Sequence, residues 1–315
     1  MNNEKKQDDE KKSIVILGTI SKVGNKEGEF KAPSAVCFTK NDHLVVADFY
    51  NHRLQIFDEQ LNLVRTNGRE GQGEGEFNRP SAVCMGKNDH SDLILIADQG
   101  NNRVQVVTME GVFVHSFPCP KPHGVCVDEK NNVFVSSWIN AHQVNEEFQI
   151  VVFSWQGTQP IRTIGTKGMR PAQLNRPEHL CFSDEHSQLS VCDSLNHRIQ
   201  VFTPEGELIR AFGSQGQDIL QFKEPTGICL DKNGALLISD YYNHRIVAYK
   251  WDGKQEKLLG AFGKKGQAQG EFNNPFGVCV DSKNRLAVAD RNNHRVQVLD
   301  ILSHRLSLLC CLLLP

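Results

Sequence analysis

Short apolar stretches separated by turn residues run along almost the whole chain, and the period of an amphipathic helix appears nowhere. Leu54-Gln55-Ile56-Phe57 and Val296-Gln297-Val298-Leu299 alternate with period two, and Ala35-Val36-Cys37-Phe38 and the run from Leu44 to Asp48 are apolar and β-rich. All four predict strands. Between such segments lie Lys40-Asn41-Asp42, Pro204-Glu205-Gly206, Lys232-Asn233-Gly234 and Trp251-Asp252-Gly253, which predict tight turns. The chain is expected to be all-β.

The pattern repeats. Asp-x-x-Asn-His-Arg stands at Asp48–Arg53, Asp193–Arg198, Asp240–Arg245 and Asp290–Arg295, and at Asp98–Arg103 with Asn102 in place of histidine. A second register coincides with it: Pro33, Pro80, Pro122, Pro177, Pro225 and Pro275 follow at intervals of 47, 42, 55, 48 and 50 residues. Each has a cysteine four positions later: Cys37, Cys84, Cys126, Cys181, Cys229 and Cys279. A period of this size marks one supersecondary unit per copy. Each unit reads as a Pro-led strand, a turn, a strand ending in Asp, the Asn-His-Arg strand, a second turn, and a fourth strand ending in Phe-Gly or similar, as at Ala211-Phe212-Gly213. Four strands, six times over, predict a six-bladed β-propeller. The last copy stops near Leu299-Asp300, whereas residues 13–20 precede the first Gly-rich loop as an unmatched fourth strand. The N-terminal strand is therefore expected to complete the last blade and close the ring.

The Asn-His-Arg core followed by Leu, Ile or Val, with the Gly-x-Phe-x-x-Pro loop before it (Gly28 to Pro33, Gly75 to Pro80, Gly270 to Pro275), resembles the NHL repeat over about residues 14–300. The resemblance implies a six-bladed propeller like the C-terminal domain of TRIM-NHL proteins and malin-like RING–NHL ubiquitin ligases. No Cys-x-x-Cys pairs are spaced for a RING zinc site, so the recognition part of such a system is expected without its catalytic RING or B-box. The expected organisation is a charged extension at 1–12, the propeller at 13–300 and an atypical hydrophobic tail at 301–315.

Composition narrows the partners. Thirty-five basic against 37 acidic residues give a net charge of −2, so no global field draws the chain to DNA or to an anionic membrane. No run approaches the ~18 apolar residues of a spanning helix, and Met1 to Ser13 has the character of neither a signal nor a transit peptide. A reducing, cytoplasmic setting and a monomeric propeller are expected. The six repeat cysteines occupy equivalent strand positions in separate units and read as small buried hydrophobes, with no metal or cofactor implied.

Function is expected where copies differ on a constant frame. The frame is Asp48, Asp98, Asp193, Asp240 and Asp290, each placed to cap the tight turn and pair with Arg53, Arg103, Arg198, Arg245 and Arg295. His52, His197, His244 and His294 recur with it. The variable pair inside the turn is Phe49-Tyr50, Gln99-Gly100, Trp138-Ile139, Ser194-Leu195, Tyr241-Tyr242 and Arg291-Asn292. Aromatics there suggest a partner's anchor points, or packing against neighbouring loops. Copy three departs from the pattern: its Gly-rich loop shrinks to Phe117-Pro118-Cys119-Pro120-Lys121-Pro122 and its Asn-His-Arg becomes Asn140-Ala141-His142-Gln143. The count from Asn140 to Phe153 is 13 residues, against six from Asn51 to Phe57, so its turn gains seven, Glu146-Glu147 among them. The stretch Gly157 to Pro177 then carries Arg162, Lys167, Arg170 and Arg176 and no acid.

These features place a binding site on the face carrying the second-to-third-strand turns, the top: Phe49, Tyr50, Trp138, Lys167, Arg170, Arg176, Tyr241, Tyr242 and Arg291. The resemblance implies two ligand classes for that face, a protein partner (a ubiquitylation substrate or adaptor) or single-stranded or stem-loop RNA held by cations and stacking rings. A lyase or hydrolase is the third reading, since His123, Glu178 and His179 follow the repeat prolines near the channel mouth. Against it, the place of His123 is held elsewhere by Ser34, Ser81, Glu178, Thr226 and Phe276, which form no three-histidine metal ring. A non-catalytic binding scaffold is expected.

Overall fold

The computed structural model describes residues 15–139 and 146–301. The charged extension at 1–12, the insertion at Asn140-Ala141-His142-Gln143 and all of the tail but Ile301 lie outside the described residues. Six four-stranded antiparallel sheets follow one another around a ring. Blade one is Pro33–Phe38, Leu44–Asp48, Arg53–Phe57 and Leu63–Asn67, from the axis outwards. The sixth blade takes Pro275–Val280, Arg285–Asp290 and Arg295–Asp300 from the C-terminal end and Val15–Ile20 from the N-terminal end. Val15 pairs with Asp300 and Ile20 with Val296, so the N-terminal strand closes the ring as expected.

The core lies in the seams between blades. Phe30, Val36, Leu44, Val46 and Phe57 of blade one pack with Ala287, Ala289, Val296 and Val298 of blade six. A blade is covered on both faces, which is why Leu44–Asp48 is buried throughout and its sequence is a continuous apolar run. At the Phe-Gly end of the fourth strand, Gly213 has φ +95°, and a Cβ there would stand 2.5 Å from the Phe222 ring. Only glycine permits that approach.

The repeated Asp and Arg form a latch on the Gly-rich loop. Asp48 Oδ1 accepts from the Lys31 amide (2.8 Å), and Oδ2 accepts from Asn51 Nδ2 (2.8 Å) and Arg53 Nε (2.9 Å). Arg53 then donates to the carbonyls of Asn25, Lys26 and Glu29. The same latch recurs at Asp98/Arg103, Asp193/Arg198, Asp240/Arg245 and Asp290/Arg295. The pairing is as expected, but the capping is not: Asp48 makes no side-chain cap to the 3-10 turn Phe49–Asn51, because its oxygens are taken by the loop and the partner side chains. Gln55 is fully buried and belongs to the latch, donating to Glu29 O and accepting from the Gly28 amide. In blade three Ser137 and Gln149 occupy the Asp and Arg positions. The shortened loop there offers no matching row of carbonyls, so latch and loop are lost together.

The repeated histidines join blades. Each sits at positive φ, and its Nδ1 accepts from the backbone amide before the next blade's proline: His52 from Arg79, His197 from Glu224, His244 from Asn274 and His294 from Ala32. Asn102 Oδ1 does the same for Lys121. Between blades three and four Trp138 Nε1 donates to Pro177 O instead (2.8 Å).

The six repeat cysteines are free thiols, but they are not sealed inside the strands. Five of them, Cys37, Cys84, Cys126, Cys181 and Cys279, line a cavity of about 200 Å³ in the central channel, and Cys84, Cys181, Cys229 and Cys279 are only partly buried. The innermost strand of a blade has no neighbour on its axial side, so the fourth position after proline meets the channel. Burial pushes the Cys84 and Cys181 thiols up to about 12.

Candidate recognition surface

The turn pairs split by position. The first member turns towards the axis and the second stands outwards. Phe49 is buried, whereas Tyr50 is 46% exposed; Tyr241 is half-buried, whereas Tyr242 is 46% exposed. Phe49 is thus not an exposed anchor. Its ring packs edge-on against Tyr50 (centroids 4.9 Å), and the Arg291 guanidinium lies 4.8 Å from its centroid and 4.5 Å from that of Phe276. Tyr241 likewise meets Tyr242 edge-on (4.8 Å) and Phe276 (5.8 Å).

Trp138 is not in a turn. The insertion lengthens the hairpin of blade three into Asn132–Ile139 and Glu147–Ser154, with Trp138 opposite Phe148. The ladder thus runs two pairs beyond the Ser137–Gln149 position, through Trp138–Phe148 and Ile139–Glu147. The indole stacks on His123 (3.4 Å, 16°), has the Arg176 guanidinium 5.3 Å from its centroid and spends its N–H on Pro177. It is a partly buried strut between blades three and four. The basic stretch is also partly spoken for: Lys167 Nζ bonds Glu146 Oε2 (3.1 Å) and lies 5.6 Å from the Phe148 ring. Arg170 stays exposed while its carbonyl accepts from Arg198. Of the nine residues expected at the site, Tyr50, Tyr242, Lys167 and Arg170 are exposed.

At the channel mouth His123 Nδ1 stands 3.3 Å from Glu178 Oε2, and Gln99 Nε2 lies 3.0 Å from His123 Nε2. His179 fills the axis one layer down, where the other blades carry Ala35, Ala82, Gly124, Gly227 and Gly277. A Cβ on Gly277 would touch His179 Cε1 at 3.3 Å. Burial, the largest cause, drives the His179 imidazole down to about 4, and its Nε2 has no hydrogen-bond partner. Among the described residues no three His, Cys, Asp or Glu side chains converge as ligands of a metal ion would.

The NHL repeat profile matches residues 30–57, 222–249 and 272–299, in blades one, five and six. Among curated proteins, the chain is similar to the protein brain tumor of Drosophila melanogaster, 29% identical over 115 residues, which is 36% of this chain and 11% of that protein. It is also similar to the B-box type zinc finger protein ncl-1 of Caenorhabditis elegans, 41% identical over 115 residues, again 36% of this chain and 13% of the relative. The match thus spans a small part of each relative. Among solved structures, virginiamycin B lyase from Staphylococcus aureus superposes with a TM-score of 0.60 over 92% of this chain and 100% of that one. At 12% identity that is a likeness of fold alone. With NHL repeats matched in three of its six blades and the ring closed in space, the chain is a six-bladed β-propeller that carries NHL repeats and resembles those of TRIM-NHL proteins.

Proposed function

We propose that the protein is a recognition scaffold whose top face takes a protein partner, serving as the substrate-selecting part of a ubiquitin-ligase-type system. The observation that carries this reading is the state of the turn pairs. Tyr50 and Tyr242 are free of the frame and 46% exposed on the loop-bearing face, where tyrosine is the usual anchor of a protein interface. The internal engagement of Trp138, Arg176 and Arg291 counts against RNA, because a stacking platform needs uncovered rings beside free cations. Unpaired thiols favour a reducing compartment, for which we propose the cytoplasm. Among the described residues no helix is long and apolar enough to cross a membrane.

The test is affinity capture on the purified protein with nuclease and protease controls, comparing wild type, Tyr50→Ala/Tyr242→Ala, and Lys130→Ala on the opposite face. A captured protein that resists nuclease, is lost with the double variant and survives Lys130→Ala supports the proposal. Capture that nuclease abolishes replaces it with RNA recognition, and capture indifferent to both tyrosines removes it from the top face.

A further inference from the structure

The top-face seams differ at one position that the frame leaves free. Val23, Glu70, Gln215 and Lys265 hold the same place, each bridging in parallel to the phenylalanine of its own Gly-rich loop. Between blades one and two this place is acidic, with Glu70 Oε1 4.0 Å from His52 Nε2. Between blades five and six it is Lys265, with Lys264 just before it.

That seam opens as a groove of about 530 Å³, floored by Ala261 and Phe262, walled by Tyr242 and rimmed by Lys264 and Lys265. No carboxylate lines it. Lys223 adds a third ammonium, 5.8 Å from the Tyr242 ring centroid. Lys264 reaches Glu271 (3.3 Å), but among the described residues neither Lys223 nor Lys265 pairs with a carboxylate. Burial first, then the charge of Lys265, holds the His244 imidazole on this wall below its ordinary range, against the opposing carboxylates of Asp290 and Asp240.

Resting on the top-face reading above, we propose that this groove is the subsite for an acidic polypeptide segment, one apolar side chain entering over Ala261 and Phe262 while flanking carboxylates meet Lys223, Lys264 and Lys265. The charge requires an anion, and the apolar floor requires a side chain beside it. A nucleic acid would satisfy the first but finds one exposed ring here, Tyr242, where successive bases need a series. The equivalent seam at Tyr50 is excluded for the same ligand by Glu70.

Fluorescence anisotropy tests it with four labelled probes: a peptide with one leucine among aspartates and glutamates, its Asn/Gln counterpart, a version with alanine for the leucine, and an oligouridylate. The proteins are wild type, Lys223→Glu/Lys265→Glu, Tyr242→Ala and Lys130→Glu, all surface changes whose folding is checked by thermal melts. The acidic leucine peptide is expected to bind, to weaken about tenfold or more in the double charge variant, and to weaken as salt shortens the Debye length below about 8 Å. Lys130→Glu should not alter it. Equal binding of the Asn/Gln peptide, indifference to Lys223→Glu/Lys265→Glu, or an oligouridylate that binds tighter and is lost with the same variant each overturns the proposal. If a captured protein partner depends on Tyr50 and Tyr242 while the acidic peptide does not bind, the subsite falls and the top-face reading stands.

Discussion

Replacing Arg198 by glutamine tests the latch. Asp193 is fully buried, and Arg198 Nε lies 2.7 Å from its Oδ2 while the other guanidinium nitrogens hold the carbonyls of Met169, Arg170 and Gln173 at 3.0, 2.8 and 2.8 Å. Removing one partner of a buried pair leaves an uncompensated charge and costs roughly 3–5 kcal/mol. For a domain of this size that is a fall in Tm of about 10 °C, at ~2–4 °C per kcal/mol. Asp193→Ser/Arg198→Gln copies the pair that blade three already carries, Ser137 and Gln149, and removes the orphaned carboxylate. The double variant should therefore lose less stability than Arg198→Gln alone. Acid supplies a second readout. Burial already holds the Asp193 carboxyl above its ordinary range, so in Arg198→Gln it takes a proton readily, and the native state binds that proton more tightly than the unfolded chain. The deficit measured at neutral pH should shrink as the pH falls towards the raised carboxyl value. Urea unfolding followed by near-ultraviolet dichroism and fluorescence, with coincident transitions, provides the numbers. A loss below about 1 kcal/mol for Arg198→Gln, or a double variant equal to the sum of its singles, would refute the latch.

Three further outcomes are expected. Deleting Val15–Ile20 leaves the Arg295–Asp300 edge unpaired and should produce aggregation on size-exclusion chromatography; a monomer of unchanged Tm would contradict closure by that strand. His179 is held neutral, near 4 against the ordinary 6.5, so its contribution is present above about pH 6.5 and drains away as the pH drops towards 4; His179→Gln should flatten the stability profile across that window, and an unaltered slope would count against it. Cys84 and Cys181, pushed up to about 12, should resist iodoacetamide at mildly alkaline pH in the folded protein and react once it is denatured, as mass spectrometry of tryptic peptides would show.

The blades and the ring closure were legible because the repeat supplies its own control. Six prolines in phase with six cysteines, and a fourth strand missing at one end and spare at the other, point to closure by the N-terminal strand, with the apolar segment 305–314 as the competing candidate that sequence alone leaves open. Single-copy features were harder. Nothing in Phe49-Tyr50 says which ring turns inward, since that depends on the 3-10 turn and on the neighbour Arg291, 242 residues away in sequence. Trp138 reads as a turn residue by alignment with Phe49, whereas it pairs with Phe148 and extends the strand. The buried glutamines Gln55, Gln105, Gln200 and Gln297 alternate with apolar neighbours as surface residues do, yet their amides are latch parts. The lysines of the five–six seam did have a signal, visible by aligning Lys264-Lys265 with Arg69-Glu70 and Ser214-Gln215.

The seam bonds make the ring a chain of unlike links. Four of the six depend on an unprotonated imidazole nitrogen, at His294, His52, His197 and His244, and a proton on that nitrogen abolishes the acceptor. The remaining two, through Asn102 and Trp138, do not titrate, and they are consecutive. Protonation therefore weakens these links unevenly around the disc: the consecutive links that join blades two, three and four hold no imidazole, while burial, which keeps the His197 and His244 imidazoles below their ordinary range, lets those two seams keep their acceptors further into acid.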